Sequence, residues 1–161
     1  AMDFYNEALD KGYVYARNSI IALKQEEVAA EPDDNKKIEI FNDIKRLLED
    51  SCADREWWAT NQLGNYYKRG VKIGKTQIFK KNISIAVEYY RQSSEYIDST
   101  YESNWPLTNY LVYGLYNDKM DITEEQRSMR EKLLRIACNN IKEKAQLSKL
   151  KKIIQKYKID L

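Results

Sequence analysis

The sequence predicts an all-α protein. Apolar residues recur at three- and four-residue steps along most of the 161 residues. Only 5 Gly and 2 Pro punctuate the chain, too few for an all-β sandwich rich in tight turns. Helix-capping signals bracket the periodic stretches. A chain of this length makes one ordinary domain or a few stacked repeats.

In the first stretch, residues 13–24, Val14, Ala16, Ile20, Ile21 and Leu23 mark a helical stripe. An acidic link runs from Glu26 to Asp34, with Pro32 as breaker and Asp34 as the expected N-cap of the next helix. Ile38, Phe41, Ile44, Leu47 and Leu48 define that helix. Another spans residues 55–69 and stops at Gly70, a residue suited to the end of a helix. Residues 71–81 hold two glycine-bounded turns and four lysines, and read as a long loop. Asn82 opens a helix over 83–96, and Pro106 suits the first turn of one reaching Tyr116. Thr123 and Gln126 form a capping-box pattern for a helix over 124–140. Leu147, Leu150, Ile154 and Tyr157 stripe a last helix over 143–157. Six or seven helices and no convincing strand are expected.

Composition excludes several chemistries. Hydrophobic residues are 43% and charged residues 32%, and the net charge of +2 favours no particular polyanion. With no histidine, Ser-His-Asp and Cys-His nucleophile systems and His-ligated metals are ruled out within the chain. Cys52 and Cys138 lack zinc-like spacing and read as two small core residues, with one long-range bridge as the alternative in an exported protein. No apolar run approaches the ~20 residues needed to cross a bilayer. The first residues have neither the basic nor the apolar region of a signal peptide. The expected compartment is the cytoplasm, or the periplasm if a signal peptide has been removed.

Paired helices call for a search for internal repeats. The segment from Phe4 to Ala16 has an aromatic pair, small residues, Gly12 and then Ala16. The same frame fits Leu47-Leu48 through Arg55 with Ala59, and again Tyr89-Tyr90 through Ser94. The pairs begin at 4, 47 and 89, spaced by 43 and 42. The clearest unit has Ala59, Leu63-Gly64 and Tyr67 in one helix, a turn at Gly70, then Ala86 and Tyr89-Tyr90 in the next.

This unit resembles the Sel1-like repeat, a relative of the tetratricopeptide repeat, over residues 4–96. The resemblance implies a short right-handed α-α superhelix of two to three helix pairs. Residues 97–161 would then supply a degenerate repeat and a C-terminal capping helix, all in one domain. Gly64 and Ala86 would let two helix backbones approach, with Leu63, Tyr67 and Tyr89 filling around them. The first unit departs from the pattern at Ile21 and Lys24, and residues 71–81 are longer than usual. Tyr113-Gly114-Leu115-Tyr116 resembles the first-helix signature but sits one residue out of register.

The remaining motifs are weaker. Gly70 to Thr76 imitates a phosphate-binding loop, but three residues separate its glycines instead of four and a helix precedes it. Between Trp57 and Val87 there is no acid, whereas Lys68, Arg69, Lys72, Lys75, Lys80 and Lys81 are present, a local charge of +6. The corresponding earlier link carries Glu26, Glu27, Glu31, Asp33 and Asp34, so stacked repeats would have a polarised rim. The last 21 residues hold seven lysines against two acids, read as the wet face of a capping helix. Asp54 and Glu56, near Trp57, sit on different helix faces and read as surface charges.

The function expected from the residues and the resemblance is non-catalytic: binding another protein. Partner contacts are expected at Tyr15, Trp58, Asn61, Asn65, Tyr66 and Arg69 in a groove lined by first helices. Lys72, Lys75, Lys80 and Lys81 would form its rim, facing an acidic surface. Trp57 and Trp58 are adjacent and are not both expected to face the groove. No catalytic, metal or cofactor residue is assigned. The resemblance implies a bacterial adaptor, or an immunity-type protein that neutralises a cognate toxin, or a signalling or secretion scaffold. The rival class is a nucleic-acid binder using the basic segment, although no nucleic-acid partner is expected. A homodimer through the N-terminal end is a further option.

Overall fold

The computed structural model describes residues 1–10 and 14–161. Lys11, Gly12 and Tyr13, part of the first repeat frame, lie outside the described residues. The chain is mostly helical, as expected. Its elements are α1 (Met2–Asp10), α2 (Val14–Ala30), α3 (Asp34–Ala53), α4 (Trp57–Arg69), β1 (Val71–Ile73), β2 (Thr76–Phe79), α5 (Ile83–Tyr96), α6 (Trp105–Tyr110), α7 (Glu124–Asn140) and α8 (Lys144–Tyr157). A π-helical turn, Leu111–Leu115, continues α6.

Each helix up to α6 packs mainly on its neighbours in sequence: α1 on α2, α2 on α3, α3 on α4, α4 on α5, and α5 on α6. The π turn and α6 then meet both α7 and α8. Two buried clusters result. One joins Ile20 and Ile21 of α2, Ile44 and Leu48 of α3, Leu63 of α4 and Phe79 of β2. The other joins Tyr90 of α5, Leu111 and Leu115 of the π turn, Leu134 of α7 and Leu150 of α8. Tyr67 packs against both.

Glycines set the spacing around α5. A Cβ on Gly64 would stand 2.5 Å from the Tyr90 ring, and one on Gly114 would stand 2.7 Å from Val87 Cγ1. The room at Gly64 is taken by an aromatic ring one turn beyond Ala86. Tyr90 is locked there by donating a hydrogen bond from its hydroxyl to Asn65 Oδ1 (2.8 Å). Tyr67 and Tyr89 stack at 5.7 Å between ring centres, closing the same seam.

Several local expectations are corrected. Residues 71–81 are not a plain loop: β1 and β2 pair antiparallel, Lys72 opposite Gln77 and Ile73 opposite Thr76, with a bulge between Val71 and Lys72. Gly74 has φ +58 at the first central position of the turn, where two-residue hairpins favour glycine. The hairpin forms because its far strand carries core residues. Phe79 stacks on Tyr66 at 4.8 Å and meets Tyr67 edge-on at 5.3 Å. Burying a ring of this size is worth about 1.5–3 kcal/mol. Lys45 Nζ also donates to the Ile78 carbonyl (3.1 Å), tying β2 to α3.

The N-cap of α3 is Asp33, not Asp34; its carboxylate accepts from Lys36 N at 3.1 Å. Glu26 and Glu27, expected in the acidic link, lie inside α2. Among the described residues there are eight helices and two strands rather than six or seven helices and none. The helix expected to run to Tyr116 changes character at Leu111, where Tyr116 N donates back five residues to Leu111 O (2.9 Å). A π turn houses one extra residue. It lies on the residues whose spacing is one position out of step. Both cysteines are free thiols, half-buried and packed against the edges of the two clusters rather than fully buried. Among the described residues no helix is long and apolar enough to cross a membrane.

Candidate functional site

The N-terminus of α4 is built by Glu56, whose carboxylate accepts from Trp58 N (3.2 Å) and Ala59 N (2.7 Å). This residue is a helix cap, not a surface charge. Its neighbour Asp54 pairs with Arg17 at 2.6 Å. The cap fixes where Trp57 and Trp58 leave the helix. Opposite them, Asn104 caps α6 by accepting from Leu107 N (3.0 Å), which places Trp105. Helix α8 is held against α6 by the fully buried Gln146. Its Oε1 accepts from Asn104 N (3.1 Å) and Thr108 Oγ1 (2.9 Å), and its Nε2 donates to Ser103 Oγ (2.8 Å). Three residues further on, Lys149 points to the same place as the tryptophans.

The result is a groove of about 470 Å³ between α4, α6, the π turn and α8. Trp57, Trp58 and Trp105, all the tryptophans of the chain, line it. So do Lys68, Arg69, Lys149 and Tyr113, with no carboxylate among the lining residues. None of those three cations has a carboxylate partner among the described residues. Some cations elsewhere are paired, as in Lys24 with Asp43 and Lys156 with Asp118.

The groove floor holds an amide pair. Asn109 Nδ2 donates to Asn61 Oδ1 at 3.2 Å, and both residues are 5% exposed. Among the described residues, the Asn61 amide N–H groups and the Asn109 amide oxygen make no hydrogen bond to protein. A peptide unit presents the complementary set, one acceptor and one donor. These atoms are not sealed from solvent, so they remain available to a segment lying in the groove.

Electrostatics concentrate at one end. Lys68 Nζ stands 3.3 Å from the Tyr113 hydroxyl and 4.3 Å from its ring centre, and Lys149 Nζ lies 5.9 Å from that centre. Burial pushes the Tyr113 phenol up, but hydrogen bonds and positive charge from Lys68 and Lys149 outweigh it and hold the phenol below its usual 10.0. The neighbouring Tyr90 phenol is shifted upward, chiefly by burial.

The structure brings together four of the expected groove residues: Trp58, Asn61, Asn65 and Arg69. Two stand apart. Tyr66 is 3% exposed and turned into the core, stacked on Phe79, its hydroxyl accepting from Gln25 Nε2 (2.9 Å). Tyr15 is 79% exposed on α2, outside the groove. Lys72, Lys75, Lys80 and Lys81 are exposed on and after the hairpin, without ion partners among the described residues. Lys72 meets the site indirectly, because a second recess of about 710 Å³ beside β1 shares Gln62 and Arg69 with the groove.

Contrary to expectation, Trp57 and Trp58 both line the groove. They begin α4, and the groove is wide enough there to span the angle between neighbouring helical positions. Trp105, Asn109 and Lys149 were not singled out from the sequence. The first two lie where the repeat spacing has broken down, and Lys149 is one of seven similar lysines. Among the described residues no group of Cys, Asp and Glu could hold a metal ion. No family model matches the chain, and no curated protein or solved structure matches it.

Proposed function

We propose that this chain is a non-catalytic protein-binding module whose α4–α6–α8 groove takes an extended acidic segment of another protein. One observation carries the reading: all three tryptophans line a groove whose cations Lys68, Arg69 and Lys149 lack carboxylate partners among the described residues. Tryptophan and arginine are the commonest anchors of protein interfaces. The Asn61–Asn109 pair would read the main chain of the segment. The helical hairpins would form a short right-handed superhelix of Sel1-like units, supported by the neighbour-to-neighbour packing and by the glycines on both sides of α5.

Within this class, the role we favour is a bacterial adaptor or an immunity-type protein that neutralises one cognate toxin. The exposed lysines of the hairpin support it, since a concentrated positive rim speeds capture of an acidic partner more than it tightens the complex. A signalling or secretion scaffold would use the same groove.

The test is affinity capture from the native cell, with wild type beside two variants: Trp58→Ala with Arg69→Ala, and Lys72, Lys75, Lys80 and Lys81 all to Ala. A specific protein should be captured by wild type and lost with the groove variant. The lysine variant should slow association while leaving dissociation nearly unchanged. Capture that both variants retain defeats the reading. A second reading follows from the same aromatic and cationic lining, which also suits single-stranded nucleic acid. Steeply salt-dependent binding of unspecific oligonucleotides, abolished by the groove variant, would establish it instead.

A further inference from the structure

The Tyr113 end of the groove has a chemistry of its own. Lys68 from α4 and Lys149 from α8 converge on one phenol of the π turn, and neither has a carboxylate partner among the described residues. Two half-buried ammonium groups held near each other repel, and the nearest side chains relieve this only with a neutral hydroxyl and ring. Lys68 donates to the Tyr113 oxygen, so the phenol's own proton is free for an incoming acceptor. Arg69, stacked on the Tyr66 ring at 4.6 Å, adds a third cation to the same lining.

We propose that Lys68, Tyr113 and Lys149 form a subsite for a phosphate monoester, with Trp57, Trp58 and Trp105 taking the group that carries it. The charge count favours phosphate over a single carboxylate. Two ammonium groups and a phenol O–H offer two positive charges and several donors. A phosphomonoester supplies about −1.5 to −2 charge and three strong acceptor oxygens, whereas a carboxylate supplies one charge and two oxygens. Lysines act on phosphate as point charges and need no planar fork, which fits a site built from two separate helices. For its source the inference rests on the groove reading above: the phosphate would be borne by a phosphorylated side chain of the docked segment.

Phenyl phosphate is a suitable probe, with benzoate as the singly charged control and inorganic phosphate as the bare ion. Phenyl phosphate should change tryptophan fluorescence saturably and bind at least about tenfold more tightly than benzoate. Lys68→Met and Lys149→Met should each weaken it by about tenfold, with circular dichroism unchanged. Binding should also move Tyr113 ionisation to higher pH, seen by tyrosinate absorbance, a shift absent in Tyr113→Phe. Equal affinity for benzoate, indifference to both lysine variants, or binding of inorganic phosphate alone (an adventitious ion only) would overturn the proposal. The two readings fail separately. A captured partner that survives phosphatase treatment, with no phenyl phosphate binding, removes the subsite and leaves the docking groove. Phenyl phosphate binding with no captured protein keeps the subsite and removes its assigned source.

Discussion

At the scale of single residues, Gly64 shows how one hydrogen atom can decide packing. Alanine is the better helix former by about 1 kcal/mol. Its Cβ would nonetheless lie 2.5 Å from a Tyr90 ring that is fully buried and tethered to Asn65. Overpacking of this kind costs about 1–3 kcal/mol, so Gly64→Ala should lower the urea midpoint despite its higher propensity. The small residue was legible in the sequence; the identity of its neighbour was not, because spacing does not say which side chain will fill the space.

The tyrosines give a second prediction at this scale. Burial, with smaller contributions from Tyr67, Cys52 and Glu49, pushes the Tyr89 phenol up to about 12. Burial also raises Tyr67, Tyr90, Tyr110 and Tyr116, while Tyr113 is lowered. Above pH 10 the unfolded chain loses these protons while the folded chain keeps them. Their contribution to stability is complete below pH 10 and is lost as pH climbs through the folded values. Urea midpoints should therefore fall between pH 10 and 12, and Tyr89→Phe should shrink that fall.

At the scale of elements, helices were legible because stripes and caps agreed. The Thr123–Gln126 capping box of α7 forms in both directions, at 3.1 and 2.9 Å. The hairpin was not legible. Its strands have three and four residues, too short for alternation to stand out, and its lysines and glycines read equally as loop. The turn itself makes a prediction. Gly74 has φ +58 and open space around it, so a side chain meets backbone strain without a clash. Gly74→Ala should cost about 1–2 kcal/mol, and Gly74→Asn less, by chemical denaturation. The Asn variant separates strain from crowding, since a bulkier residue would be the better tolerated.

At the scale of the molecule, two buried clusters share Tyr67, which packs on both and stacks on Tyr89 at the front one. Tyr67→Ala should cost about 2–4 kcal/mol, somewhat less than the ~3–5 kcal/mol of a fully buried aromatic ring, because the side chain is only half-buried. The denaturant slope should also fall, as the halves begin to unfold separately. The front cluster was foreseeable from its repeated spacing. The groove was legible in part: its α4 wall carried the readable pattern. Its other walls come from α6 and α8, brought there by the contacts of Gln146 with Asn104, Thr108 and Ser103, which no sequence periodicity reveals.

The wide turn at Leu111–Leu115 has a consequence for how such a surface changes over generations. A helix rotates about 100° per residue, so gaining or losing one position there turns the helical residues that follow like a dial. In this chain the dial is set so that Gly114 nestles on Val87 while Tyr113 faces Lys68. A single-codon deletion just before Tyr113 would swing the phenol away from its lysine without shortening α6. Insertions and deletions here would thus retune what the protein recognises more readily than point substitutions would.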